Sequence, residues 1–119
     1  PDSAPPEGTR AAMKDKRMMQ TEWRPESLVI AQTIRQAAAR GGITAGQFAM
    51  AWVLNNALVT AVIAGPRTME QWQDYIGGLD YRFTADDEAL VNRLVVTGHS
   101  STPGYNDPAY PIEGRVPRH

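Results

Sequence analysis

The chain has 119 residues with 12 basic and 13 acidic side chains and a formal charge of −1, long enough for one domain and too evenly charged to be drawn to nucleic acid or an anionic membrane. It has no cysteine and only two histidines, His99 and His119, both in loop-like sequence. That excludes disulfides and thiolate metal sites, leaves little for an imidazole site, and fits a reducing compartment. No apolar run approaches the roughly 18 residues of a membrane span, and the first residues lack the basic-then-apolar pattern of a signal peptide, so the expectation is a soluble, cytoplasmic protein. Its start, at a proline inside polar, proline-rich sequence, reads as a cut end.

In chain order, Pro1 to Gly8 reads as loop, and Arg10 to Trp23 as an ordered loop or a short helix. Pro25 opens a helix, where its missing N–H costs nothing. Leu28, Ala31, Ile34 and Ala38 form one apolar face of it, and Gly41-Gly42 ends it. Thr44 with Gln47 has the spacing of a capping box, and Ile43 is placed to staple onto Phe48. The helix that follows is apolar nearly all round, which predicts burial on more than one side; Asn55-Asn56 closes it. Val59 to Ala64 is short, β-branched and almost wholly apolar, the pattern of a strand buried on both faces. Thr68 with Gln71 repeats the capping spacing for a helix through Ile76, apolar at Met69, Trp72, Tyr75 and Ile76 and stopped by Gly77-Gly78. Thr84 caps a last helix with Leu90, Val91, Leu94 and Val95 facing inward. From Gly98 the tail has four prolines and no periodicity.

The backbone alone then makes a demand. One strand buried on both faces leaves two rows of N–H and C=O groups without partners, at roughly 1–3 kcal/mol for each group buried unpaired. No second convincing central strand appears in the sequence, so the missing strands must come from a larger α/β protein or from another chain.

Gly65, Pro66, Arg67 and Thr68 carry the chemistry. They lie at the carboxyl end of the expected strand, where α/β proteins place ligands, and open into a helix N-terminus that favours an anion. Gly65 allows close backbone approach, and Arg67 offers a bidentate contact to phosphate. Gln71 and Asp74 lie one and two turns further on nearly the same face, within reach of a sugar or base. The alternative is an ordinary turn in which Arg67 is a surface residue.

The run Ile43-Thr44-x-x-Gln47-x-Ala49-x-Ala51-Trp52-Val53-Leu54, followed by Val62-Ile63-Ala64-Gly65-Pro66-Arg67-Thr68-x-Glu70-Gln71, resembles the C-terminal part of the aldo-keto reductases. It is most similar to the bacterial branch related to the β subunits of voltage-gated potassium channels. The resemblance runs from about Pro5 to Val96, and the Tyr105-Asn106-Asp107-Pro108-Ala109-Tyr110-Pro111 stretch resembles the tail of a subset of members. It implies a (β/α)8 TIM barrel, here represented mostly by helices and one central strand, and reduction of an aldehyde or ketone by NADPH. Residues 1–24 would be a cofactor-covering loop, 25–97 the last helices and final strand of the barrel, and 98–119 a C-terminal loop.

The same resemblance assigns Gly65, Pro66, Arg67 and Gln71 to the adenosine 2′-phosphate end of the cofactor. Asp74 stands where the family usually has glutamate, and Tyr75 where it usually has an asparagine near the adenine, which leaves stacking in place of a hydrogen bond. Gly8, Thr9 and Arg10 match the loop over the cofactor, with Arg10 either a phosphate contact or a solvated arginine. The family's catalytic Asp, Tyr, Lys and His come from earlier strands, and nothing here corresponds to them. A full barrel needs about 250 residues, so the expectation is a C-terminal third that needs the remainder of the barrel and is inactive alone. Two other functions fit parts of the pattern. The helices around Gly41-Gly42 imitate a DNA-binding helix-turn-helix, although the second lacks Lys and Arg. A non-catalytic nucleotide-sensing subunit also fits the turn.

Overall fold

A computed structural model describes residues 3–21, 23–95 and 114–118. Among them are five helices: α1 (Lys16–Thr21), α2 (Pro25–Arg40), α3 (Ala45–Leu54), α4 (Met69–Gly77) and α5 (Ala85–Leu94). Residues 98–113 of the expected C-terminal loop, with His99, Tyr105, Tyr110 and Ile112, lie outside the described residues, as does His119.

The helix ends follow from local chemistry. Pro25 stands in the first turn of α2 and Gly41 is its C-cap, followed by Gly42 at φ +74°, a left-handed conformation in which glycine has no Cβ to strain. Thr44 and Gln47 form a complete capping box on α3, and Asn55 caps its other end. Thr84 and Asp87 form a second complete box on α5. On α4 the reciprocal bond is moved by one residue. Thr68 Oγ1 accepts from the Gln71 N–H at 3.2 Å, whereas Gln71 Oε1 accepts from the Arg67 N–H at 2.7 Å.

Helices α2 and α3 pack together, and α4 also packs on α3. Their core is Ala38, Phe48, Ala51 and Phe83, with Ile34, Ile43, Trp52, Tyr81 and Val91 packed around it. Phe83 meets the Phe48 ring edge-on, with centroids 5.1 Å apart. The expected face of α2 is buried at Ala38 and half-buried at Leu28 and Ile34, while Ala31 is exposed. The buried residue of α5 is polar: Glu88 is 5 % exposed.

The central strand expected over Val59 to Ala64 does not form. Among the described residues the one β-bridge joins Asn56 to Pro117, and residues 61–66 run without turn or ladder. Ile63 is fully exposed and Val62 only half-buried. A strand needs neighbours for its N–H and C=O groups, and among the described residues no second strand provides them. Without a ladder, the segment stays largely exposed, at residues 60, 61, 63 and 64.

In place of a sheet, the C-terminal segment 114–118 holds the end of α3. Ala57 N–H donates to the Val116 carbonyl at 2.6 Å, and Arg118 N–H to that of Asn55 at 2.9 Å. The Arg118 guanidinium donates to the carbonyls of Leu54 (3.1 Å) and Val59 (2.9 Å). Arg115 grips the Glu88 carboxylate with two bonds of 2.6 Å and lies 4.0 Å over the Trp52 ring.

The Thr84–Asp87 box also takes in Tyr81, whose hydroxyl donates to Asp87 Oδ2 at 2.9 Å. Burial pushes the Tyr81 hydroxyl up to about 12, helped by that hydrogen bond and by the charge of Asp87. The folded protein therefore keeps a proton that the unfolded chain loses near the ordinary value of 10.0. The stabilisation is complete below that value and disappears as pH rises toward 12. Thermal midpoints measured across this interval are expected to fall with pH, and Tyr81→Phe should flatten the fall. An unchanged slope in the variant would remove Tyr81 as its source.

Candidate functional site

The turn at residues 65–68 opens on a cavity of about 950 Å³, walled on one side by the start of α3 (Thr44, Gly46) and on the other by α4 and the turn leading into it. Of the eight residues expected to bind a cofactor, Gly65, Arg67, Gln71, Asp74 and Tyr75 line it. Pro66 is half-buried within the same turn. A Cβ built on Gly65 would meet nothing within 4 Å, so the backbone there is open to a ligand.

Arg67 links the turn to the N-terminal loop, its Nη1 donating to the Gly8 carbonyl at 2.5 Å. The Gln71 side chain takes the Arg67 N–H and so braces the turn that leads into α4. The first N–H groups of α4, at Met69 and Glu70, have no acceptor within the helix and carry its positive dipole end. A cation and a helix N-terminus thus stand together at one end of the cavity.

The other expected residues play more local parts. Thr9 Oγ1 donates to the Pro6 carbonyl at 2.7 Å and accepts from the Ala12 N–H at 3.2 Å, holding the turn over residues 6–12. Arg10 lies 3.7 Å from Asp15 in an exposed pair, the kind that contributes little. Thr9 and Arg10 are not among the residues lining the cavity. Asp74 faces it with one carboxylate oxygen engaged, Oδ2 accepting from the Thr44 hydroxyl at 3.1 Å. Tyr75 lies against Gly46, where an added Cβ would be 3.8 Å from the ring.

Sequence reasoning missed the bonds between the two walls, and missed Arg115 and Glu88. Both connect residues some 27 positions apart, beyond the reach of any local pattern. Among the described residues no group of His, Asp and Glu could hold a metal, and no helix is long and apolar enough to cross a membrane. Helix α3, second of the helix-turn-helix pair, has no Lys or Arg and packs against both α2 and α4.

This geometry sets a guanidinium and a helix N-terminus beside an open cleft. The sequence profile described as "Aldo/keto reductase family" matches residues 6–95. The chain therefore belongs to the aldo/keto reductases, oxidoreductases that fold as (β/α)8 barrels and generally use nicotinamide cofactors. Neither a curated protein nor a solved structure matches it.

Proposed function

We propose that the cleft takes the adenosine 2′-phosphate end of NADPH, and that the chain is the cofactor-holding C-terminal third of a carbonyl-reducing barrel, in the branch near the potassium-channel β subunits. The observation that carries this reading is the position of Arg67, at the head of α4 and on the wall of a cavity to which Gly65 leaves the backbone open. The donor set suits a phosphate: a guanidinium, the Thr68 hydroxyl and the unpaired N–H groups of a helix start. The Glu70 and Asp74 carboxylates share the cavity, and the Thr44 hydroxyl occupies one oxygen of Asp74.

The cofactor when bound supplies a hydride to an aldehyde or ketone. This chain's residues bind and orient it; the groups that handle the proton and the substrate belong to the remainder of the barrel. Two features support a missing remainder. Val59 to Ala64 has a strand's composition and no ladder. Met69, Trp72 and Ile76, a stripe on α4 at helical spacing, are 69, 46 and 45 % exposed, a face that barrel strands would cover.

Arg67→Ala is the test. A charge-assisted contact of about 1.5–3 kcal/mol corresponds to a roughly 10- to 100-fold weaker Kd for NADPH, with NADH unchanged. Titration of both nucleotides by fluorescence measures it, and an equal loss for the two would dismiss the 2′-phosphate assignment.

A further inference from the structure

Helix α4 is the only one of the four longer described helices with no buried residue. Its apolar stripe, Met69, Trp72 and Ile76, faces away from α3, because Asp74 and Gly78 fall on the opposite side at 100° per residue. Core packing therefore does little to locate this helix, yet the cavity lies between it and the start of α3. Something else must set the distance between the two walls.

The contacts that do so converge on Gln47. Its Oε1 accepts from the Thr44 N–H at 3.0 Å, completing the cap of α3. Its Nε2 donates to the Asp74 carbonyl of α4 at 2.8 Å. Thr44, capped by that same side chain, donates its hydroxyl to Asp74 Oδ2 at 3.1 Å. The aliphatic part of Gln47 rests on Gly78, where an added Cβ would lie 2.8 Å from Cγ, 2.9 Å from Cβ and 3.1 Å from Cα. Those atoms are the stem and backbone of Gln47, so a side chain at position 78 would have to push the helices apart. One amide side chain thus caps one wall and bolts the other to it.

We infer that Gln47 is a positioning residue for the anion site: it holds α4, and with it Arg67 and the helix N-terminus, at the separation from α3 that a phosphate-bearing ligand needs. Gln47 does not itself line the cavity; it acts through Asp74 and Gly78. The inference rests on the phosphate reading given above, and it adds a requirement at residues remote from the phosphate.

Gln47→Glu separates its two tasks. A carboxylate at 47 still accepts from the Thr44 N–H, and a negative charge in the first turn suits the helix dipole, but it has no donor for the Asp74 carbonyl. Gly78→Ala disturbs the same junction without adding charge. In the full chain, with 2′,5′-ADP as the probe, both variants are expected to bind about tenfold more weakly while their melting temperatures stay within a few degrees of the parent. Arg67→Ala is run alongside. If Arg67→Ala weakens 2′,5′-ADP binding while Gln47→Glu and Gly78→Ala leave it intact, the positioning role is wrong and the phosphate site survives. If Gln47→Glu weakens binding and Gly78→Ala does not, the effect is the added charge and the positioning role again falls. If Arg67→Ala itself has no effect, the phosphate reading fails, and the role of Gln47 with it.

Discussion

Arg115→Ala is expected to lower the unfolding free energy by about 3–5 kcal/mol, the usual cost of removing one partner of a buried ion pair. The Arg115 and Glu88 side chains are 4 and 6 % exposed and joined by a bond of 2.6 Å, so the variant takes this guanidinium away from a buried carboxylate. It also strips the guanidinium from the Trp52 ring, a contact worth about 0.5–2 kcal/mol by itself. Two apolar side chains of similar bulk should recover much of the loss, since the pair's attraction mainly offsets its own desolvation. Urea denaturation of the parent, Arg115→Ala and the double variant Glu88→Leu/Arg115→Met measures both effects. A single variant as stable as the parent would show that the segment 114–118 only rests on the surface. A double variant no better than the single one would place the value of Arg115 in the Trp52 contact.

That prediction depends on a contact with no trace in the sequence. Glu88 follows Asp86 and Asp87 in an acidic first turn, where the helix dipole already accounts for a carboxylate, and Arg115 stands 27 residues further on in proline-rich sequence. The helices were legible for the opposite reason. Thr44, Thr68 and Thr84 each accept from an N–H three residues ahead, so each start is written within four residues. Val59 to Ala64 shows the limit of such reading. Its composition states what a strand there would face, but a strand is a property of a pair, and the pattern of one segment cannot supply the other. The candidate site divides the same way. Gly65, Arg67, Thr68 and Gln71 form a local turn and were readable together. The Gln47–Asp74 bond that sets the opposite wall spans 27 residues, and only the fold brings it into being.

The second large effect is expected at Phe48. It is 2 % exposed, and among the described residues it is the largest side chain buried so completely. It shares the core with Ala38, Ala51 and Phe83, and Ile34, Ile43, Trp52, Tyr81 and Val91 pack around them. Phe48→Ala leaves a void in this core and should cost the roughly 3–5 kcal/mol typical of such truncations. The edge-to-face contact with Phe83, with planes at 61°, is lost as well. Through that ring Phe48 connects α3 to the segment that leads into α5. A domain of this length has only about 5–15 kcal/mol of stability in total, so the variant should melt far below the parent or lack a cooperative transition. Val29→Ala on α2, at a side chain 53 % exposed, should change stability by no more than about 0.5 kcal/mol. Thermal unfolding followed by circular dichroism compares the two directly. Similar midpoints for both variants would mean that the helices are held by something other than this core. A large gap would locate the chain's stability at the junction of α2, α3 and Phe83, and would leave α4, with no buried residue of its own, dependent on the polar bonds that tie it to α3.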